Sequence, residues 1–196
     1  MKETKRKKKR FSRKDEIIRQ ATIMFKDRGY SGASVRDLAQ LSGIEAPSLY
    51  SHFKSKEDIL QRICDEMAKK FMKGLAKSEK KESATEKLKT ALKLHIRTIT
   101  KNTDASAVMW NEWKHLKGQG RTEFKKKIRN YEKRFQYILK EGMDNGEFVY
   151  YNPVILSKLI FSSLNGLSFW YHGNNKNIGI NKNLQKLLFQ GIKNQD

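Results

Sequence analysis

"SVRDLAQLSGIEAPSLYSHFKSKEDIL", residues 34–60, is the stretch on which the fold turns. Ser34 followed by Asp37 is a helix-start pattern, and Val35, Leu38 and Ala39 then recur with helical spacing to about Leu41. "SG" breaks the run and Ile44 closes over the turn. Pro47 stands in the first turn of a second short helix, where its missing N–H costs nothing. That helix runs to about His52, and Ser55 with Asp58 opens a longer one from Lys56 towards the late seventies. From Ala46 to His52 only Leu49, and after it Phe53, has core character; the other residues present small or hydrogen-bonding groups outward. Two short helices around a tight glycine turn, braced by a longer helix on each side, make a helix-turn-helix whose second member can enter a DNA major groove.

Upstream, "SRKDEIIRQATIMFKDRG" begins with Ser12 as N-cap and Asp15 three residues later, places Ile17, Ala21, Met24 and Phe25 on one face, and stops at Gly29. Before it, the first ten residues hold seven basic groups and one acidic group, a run that repels itself, so residues 1–11 read as a disordered basic arm. The whole chain of 196 residues carries a net charge of +21, which points first to a polyanion. The charge is spread: 15 Lys+Arg against 8 Asp+Glu in residues 1–60, and 27 against 13 in the rest. A Lys- and Asn-rich surface style explains the later part at least as well as a nucleic-acid footprint does. Hydrophobic residues make up 37%, enough for a soluble globular core without staples. Cys64 has no cysteine partner, no apolar run approaches a membrane span, and the basic start lacks the apolar stretch of a signal peptide, so the expected compartment is the cytoplasm and no membrane is involved.

With those residues in view, the segment resembles the DNA-binding domain of TetR/AcrR-family transcriptional regulators. That family's first helix ends "F…GY", followed by "S/T-V-R-D-L-A" and "G-V/I-x-x-x-x-L-Y-x-H/Y-F-x-S-K-E-x-L"; here stand Phe25, Gly29, Tyr30, "SVRDLA" and "GIEAPSLYSHFKSKEDIL". The likeness covers residues 12–60. It implies an all-α fold of about nine helices, a helix-turn-helix domain over 12–60 and a C-terminal helical effector-binding and dimerisation domain over 61–196. Position by position it implies that Tyr50, His52 and Lys56 grip phosphates and that Arg36, Ala46, Pro47 and Ser48 approach bases, with Ser34 in the same DNA-facing set. Physical chemistry agrees: Lys56 lies at a helix N-terminus that favours phosphate, and Arg36 is the long donor near the reading head able to clamp a guanine edge. Ala46 and Pro47 offer apolar contact to a thymine methyl.

The remainder reads as helices near 84–101, 104–116, 121–145, 152–172 and 181–193, separated by "KGQGR", "DNGEF" and "HGNNKN". "VILSKLIFSSLNGLSFWY", residues 154–171, is apolar on nearly every side, and "NLQKLLFQGI" adds Leu184, Leu187, Leu188 and Ile192. The pair reads either as internal core or as a homodimer contact, with Asn165 and Gly166 allowing close backbone approach at a two-fold. The resemblance implies a four-helix dimer bundle here, which selects Leu164, Gly166, Leu184 and Leu188 as interface residues and a near-palindromic double-stranded DNA operator as partner. Between these helices lie Met109, Trp110, Trp113, Tyr131, Phe135, Tyr137, Ile138, Trp170 and Tyr171. Such spacing is that of ordinary core, yet large flat side chains leave cavities between helices, so Met109, Trp110, Trp113, Tyr131, Phe135, Ile138 and Trp170 form the candidate effector pocket.

"RNYEKRFQYILKEGMDNGEF" with "LNGLSFWY" resembles the later helices of family members that answer to fatty acyl-CoA or other lipophilic acids, and Arg121, Arg129 and Arg134 are the cations expected to meet an anionic head. Catalysis has no motif: there is no Gly-rich phosphate loop, no HExxH and no GxSxG, and His52, His95, His115 and His172 are too scattered for a metal site or triad. The expectation is a repressor, not an enzyme, with no metal and no cofactor, released from its operator by a small lipophilic effector. The alternatives are an architectural DNA-binding protein without effector and a helical enzyme using the Trp-rich cavity.

Overall fold

The Ser12 hydroxyl accepts from the Asp15 N–H, and the Asp15 carboxylate accepts from the Ser12 N–H at 3.1 Å, so the first helix opens with two of its orphan donors satisfied. In this computed structural model, which describes residues 12–171 and 179–192, that helix is α1 (Arg13–Gly32), deflected where Gly29 adopts φ 69°. There follow α2 (Val35–Leu41), α3 (Ala46–His52), α4 (Lys56–Ser78), α5 (Ala84–Lys101), α6 (Thr103–Glu112), a 3-10 turn (Trp113–His115), α7 (Gly118–Asp144), α8 (Pro153–Asn165), the single-turn α9 (Leu167–Trp170) and α10 (Ile180–Ile192). Nine of these helices have seven residues or more, which is the all-α architecture expected. The basic arm and His172 lie outside the described residues.

The turn between α2 and α3 is built by backbone chemistry. Ile44 donates to the Ala39 carbonyl and Gly43 to that of Gln40, the paired bonds that finish a helix whose C′ residue is left-handed; Gly43, at φ 62°, takes that conformation at no steric cost. Arg13 donates from α1 to the Gly43 carbonyl at 3.1 Å and clips the turn in place. Beneath it, Ile17, Phe25, Leu38, Leu49, Phe53 and Ile59 are buried, so Leu49 and Phe53 anchor α3 from below, with Ala46 partly packed beside them. This core continues along α4 through Ile63, Met67, Phe71 and Leu75 into the C-terminal helices as one apolar cluster.

Three expected boundaries shift. The helix expected near 104–116 ends at Glu112 in the 3-10 turn. α7 starts at Gly118, three residues before expectation, with Gly120 inside the helix beside the flexible Gln61 side chain of α4. The helix expected over 152–172 divides into α8 and α9. Glu147, in the α7–α8 turn, takes the N–H groups of Ala84 (3.0 Å) and Thr85 (2.8 Å) and so caps α5 from across the fold. Among the described residues no helix is long and apolar enough to cross a membrane.

Candidate DNA-reading head and effector slot

On α3 and its approach, Tyr50 is 54% exposed, and Ser34, Arg36, Pro47 and Ser48 stand in solvent, while Ala46 and His52 are half-buried. Five of these seven are thus exposed, while Ala46 packs partly against the core. Lys56 does not join them. Its ammonium donates to the carbonyls of Tyr30 (2.8 Å) and Ala33 (2.7 Å) and lies 4.3 Å from the centre of the Tyr30 ring, and burial lowers its pKa. The expectation that Lys56 presents a phosphate-gripping charge is corrected: three favourable contacts turn the side chain inward, where it ties the α1–α2 loop to the start of α4. Missing from the sequence reading was Glu45, exposed at the N-cap of α3, where its side chain makes no capping bond and can accept from a cytosine amine.

The aromatic cluster separates into core and slot. Met109, Phe135 and Ile138 are at most 1% exposed and fill the interior, so they are not lining residues. Trp170 is 55% exposed on α9 and stands outside the cluster altogether. Trp110 and Trp113 do line a hollow of about 450 Å³, together with Phe124, Lys125, Ile128, Arg129 and Glu132 of α7. A second hollow of about 380 Å³ shares Trp110 and Glu132 and continues to Lys158, Phe161, Ser162 and Asn165 of α8. Phe124, Ile128 and Glu132 recur every four residues, the signal in α7 that would have disclosed this stripe. Tyr131 sits behind the slot, its hydroxyl 2.8 Å from His95 Nδ1.

The apolar surface also differs in detail from expectation. Leu164 is fully buried in its own core, and Leu184 and Leu188 pack partly against it. Gly166 has ordinary helical angles (φ −52°, ψ −27°). On these helices the exposed apolar side chains are instead Val154, Ile155 and Leu159 of α8, Phe169 and Trp170 of α9 and Leu187 of α10.

Comparison with known proteins fits both halves. Residues 17–63 match the model of bacterial regulatory proteins of the tetR family, and residues 81–192 match that of the tetracyclin repressor-like C-terminal domain. The chain belongs to the TetR family of transcriptional regulators. Among curated relatives, the transcriptional repressor KstR2 of Mycolicibacterium smegmatis is 33% identical over 70% of this chain and 68% of its own. The fatty acid metabolism regulator of Bacillus subtilis is 25% identical over 92% and 95%. The same fold occurs in AibR, solved in complex with isovaleryl coenzyme A and operator DNA, at a TM-score of 0.81 and 17% identity over 92% and 98% of the two chains.

In this TetR-family regulator the slot and the reading head are joined by more than α4. Glu112, beside Trp113, accepts from the Tyr30 N–H at 3.0 Å; His115 stacks on the Tyr30 ring at 5.0 Å and lies 3.3 Å from the same carboxylate. Lys117 donates its N–H to Glu57 at 2.7 Å, and Lys26 pairs with Asp104 at 2.9 Å. The cations expected near the slot fare differently. Arg129 lines it, Arg121 lies over Trp113 at 5.8 Å, and Arg134 is held by Glu79 through Nε at 2.7 Å and a second guanidinium nitrogen, which removes it from the site.

Proposed function

We propose that this regulator is a cytoplasmic homodimeric repressor that leaves a near-palindromic operator when an acyl compound, a fatty acid or its coenzyme A thioester, enters the slot between α6, α7 and α8. The observation that carries the reading is position. Trp113 lines an apolar hollow rimmed by Lys125 and Arg129, and the adjoining Glu112 and His115 are the groups that hold Tyr30 of the reading head. A tail filling the hollow pushes on the 3-10 turn, and the turn moves α1 against α4. The ligand must prefer the displaced arrangement, because equal affinity for both would shift nothing. The likeness to a fatty acid metabolism regulator supports the acyl class, and AibR, which has the same fold, was solved in complex with isovaleryl coenzyme A and operator DNA.

In this reading Tyr50 and His52 meet phosphates, and Arg36, Ala46, Pro47 and Ser48, with Ser34 beside them, face base edges. Two copies pack through Ile155, Leu159, Phe169, Trp170 and Leu187, which sets the two recognition helices about one DNA turn, roughly 34–36 Å, apart. The test is fluorescence anisotropy on a duplex selected from a random pool, titrated with decanoyl-CoA while tryptophan emission is followed. Quenching together with DNA release is expected. Quenching without release leaves the slot uncoupled, and absence of a preferred duplex at two salt concentrations returns the protein to the architectural class.

A further inference from the structure

Inside the C-terminal core, polar groups stand where apolar ones would pack with no network to satisfy. His95 of α5 is 2% exposed, ringed by Phe71 at 4.6 Å and Phe161 at 5.7 Å between ring centres. Its Nδ1 lies 2.8 Å from the Tyr131 hydroxyl and its Nε2 3.1 Å from Asn165 Oδ1. Burial holds the imidazole neutral, with a pKa of about 4. A neutral ring has one donor and one acceptor, so Tyr131 donates to Nδ1 and Nε2–H donates to Asn165, and both ring nitrogens are satisfied.

Asn165 is the member of this trio that reaches a hollow. With its oxygen engaged by His95, its amide has two N–H donors left to offer there. Lys158 and Ser162 line the same hollow and add donors, and the buried indole N–H of Trp110, beside it, makes no hydrogen bond. Glu132 is the single carboxylate in that lining. A lining rich in donors and poor in acceptors fits an acceptor oxygen, and the hollow on the other side of Trp110, walled by Trp113, Phe124 and Ile128, fits a hydrocarbon tail.

We infer that Asn165 reads the acyl oxygen of the effector, held in orientation by His95 and Tyr131 as positioning residues, while the tail extends past Trp110 towards Trp113. This rests on the acyl reading above and adds to it the atom that is recognised. A carboxylate or a thioester carbonyl supplies that oxygen equally, and Lys158 meets the charge that accompanies either.

The test uses the full-length protein and three probes: decanoyl-CoA, S-decyl-CoA, which is the thioether lacking the carbonyl oxygen, and decanoate. Binding is read by calorimetry, with operator binding and circular dichroism as controls of folding. The wild type should prefer decanoyl-CoA over S-decyl-CoA by roughly tenfold, the scale of one buried hydrogen bond. Asn165→Asp keeps an oxygen for His95 and removes the N–H donors, so the preference should vanish or invert while affinity for S-decyl-CoA stays within about twofold. Asn165→Ala, without the added charge, should show the same loss. His95→Phe releases the amide and should give an intermediate ratio, which a role confined to packing would not move. Decanoate separates the sources: a decanoate affinity that equals that of decanoyl-CoA and falls with Asn165→Asp makes the recognised oxygen a carboxylate, and decanoate failing to bind makes it a thioester. Equal wild-type affinity for the two coenzyme A probes, or a tenfold preference that survives Asn165→Asp, overturns this inference and leaves the acyl reading standing. Binding of none of the three overturns both.

Discussion

In α3, Leu49 and Phe53 anchor the helix from below while Pro47, Ser48 and Tyr50 stand in solvent, so the residues that work and the residues that hold are different residues. In the C-terminal domain the arrangement is reversed: Phe124, Phe161 and Trp110 pack in or against the core and also line the hollows, with His95 and Tyr131 behind them. The reading head can therefore change its contacts without changing its fold. The residues lining the hollows have no such separation.

The sharpest way to break this contrast is at Leu164 against Leu159. Leu164 is fully buried, so Leu164→Ala should cost about 2–5 kcal/mol in urea unfolding. Leu159, 62% exposed, should on conversion to Asp leave the protomer folded and lower its association, visible as monomers in analytical ultracentrifugation. A stable Leu164 variant would place that residue outside the core.

The next effect is on pH. His95 has a folded pKa of about 4 against 6.5 for the free side chain, its burial being the cause. Below 6.5 the unfolded chain takes up the proton first, so this group's contribution is complete above pH 6.5 and is lost as pH falls towards 4, at up to about 1.4 kcal/mol per pH unit. Denaturation midpoints followed from pH 7 to 4.5 should show this slope in the wild type and a shallower one in His95→Gln. An unchanged slope would mean that another group dominates acid unfolding.

Smaller still is the link between the regions. Glu112→Gln weakens the hold on Tyr30, so the effector should bind as before but shift operator affinity less, by about 1–2 kcal/mol of coupling. An undiminished response would leave the coupling to α4. The smallest effect is in the reading head, where Tyr50→Ala should weaken all duplexes by roughly five- to tenfold while stability moves by less than about 0.5 kcal/mol. Loss of stability there would deny the separation of working and holding residues in α3.

Legibility followed the range of the interactions. Ser12, Ser34 and Ser55 cap helices through bonds to residues three positions on, and the Gly43 turn closes within six residues, so spacing alone announces them. Trp110 and Trp113 stood out in the sequence because bulky rings fit poorly into helix interfaces, and both line a hollow. Phe124, Ile128 and Asn165 joined them only through the approach of α7 and α8. Lys56 shows the limit most plainly: its position at a helix start suggests a phosphate, and the carbonyls of Tyr30 and Ala33, which turn it inward, lie 26 and 23 residues upstream.

By itself the sequence determined the all-α class and the helix-turn-helix, because capping, turn chemistry and amphipathic spacing act over a few residues and are written in local order. Tertiary structure alone decided that Leu164 faces its own core while Leu159 faces outward, that Met109 and Phe135 fill space which Trp110 leaves open, and that Glu112 meets Tyr30 across 82 positions. Those choices depend on which faces of α5, α6, α7 and α8 meet. An apolar residue carries no mark of whether the surface it covers belongs to its own chain, to a ligand or to a second copy.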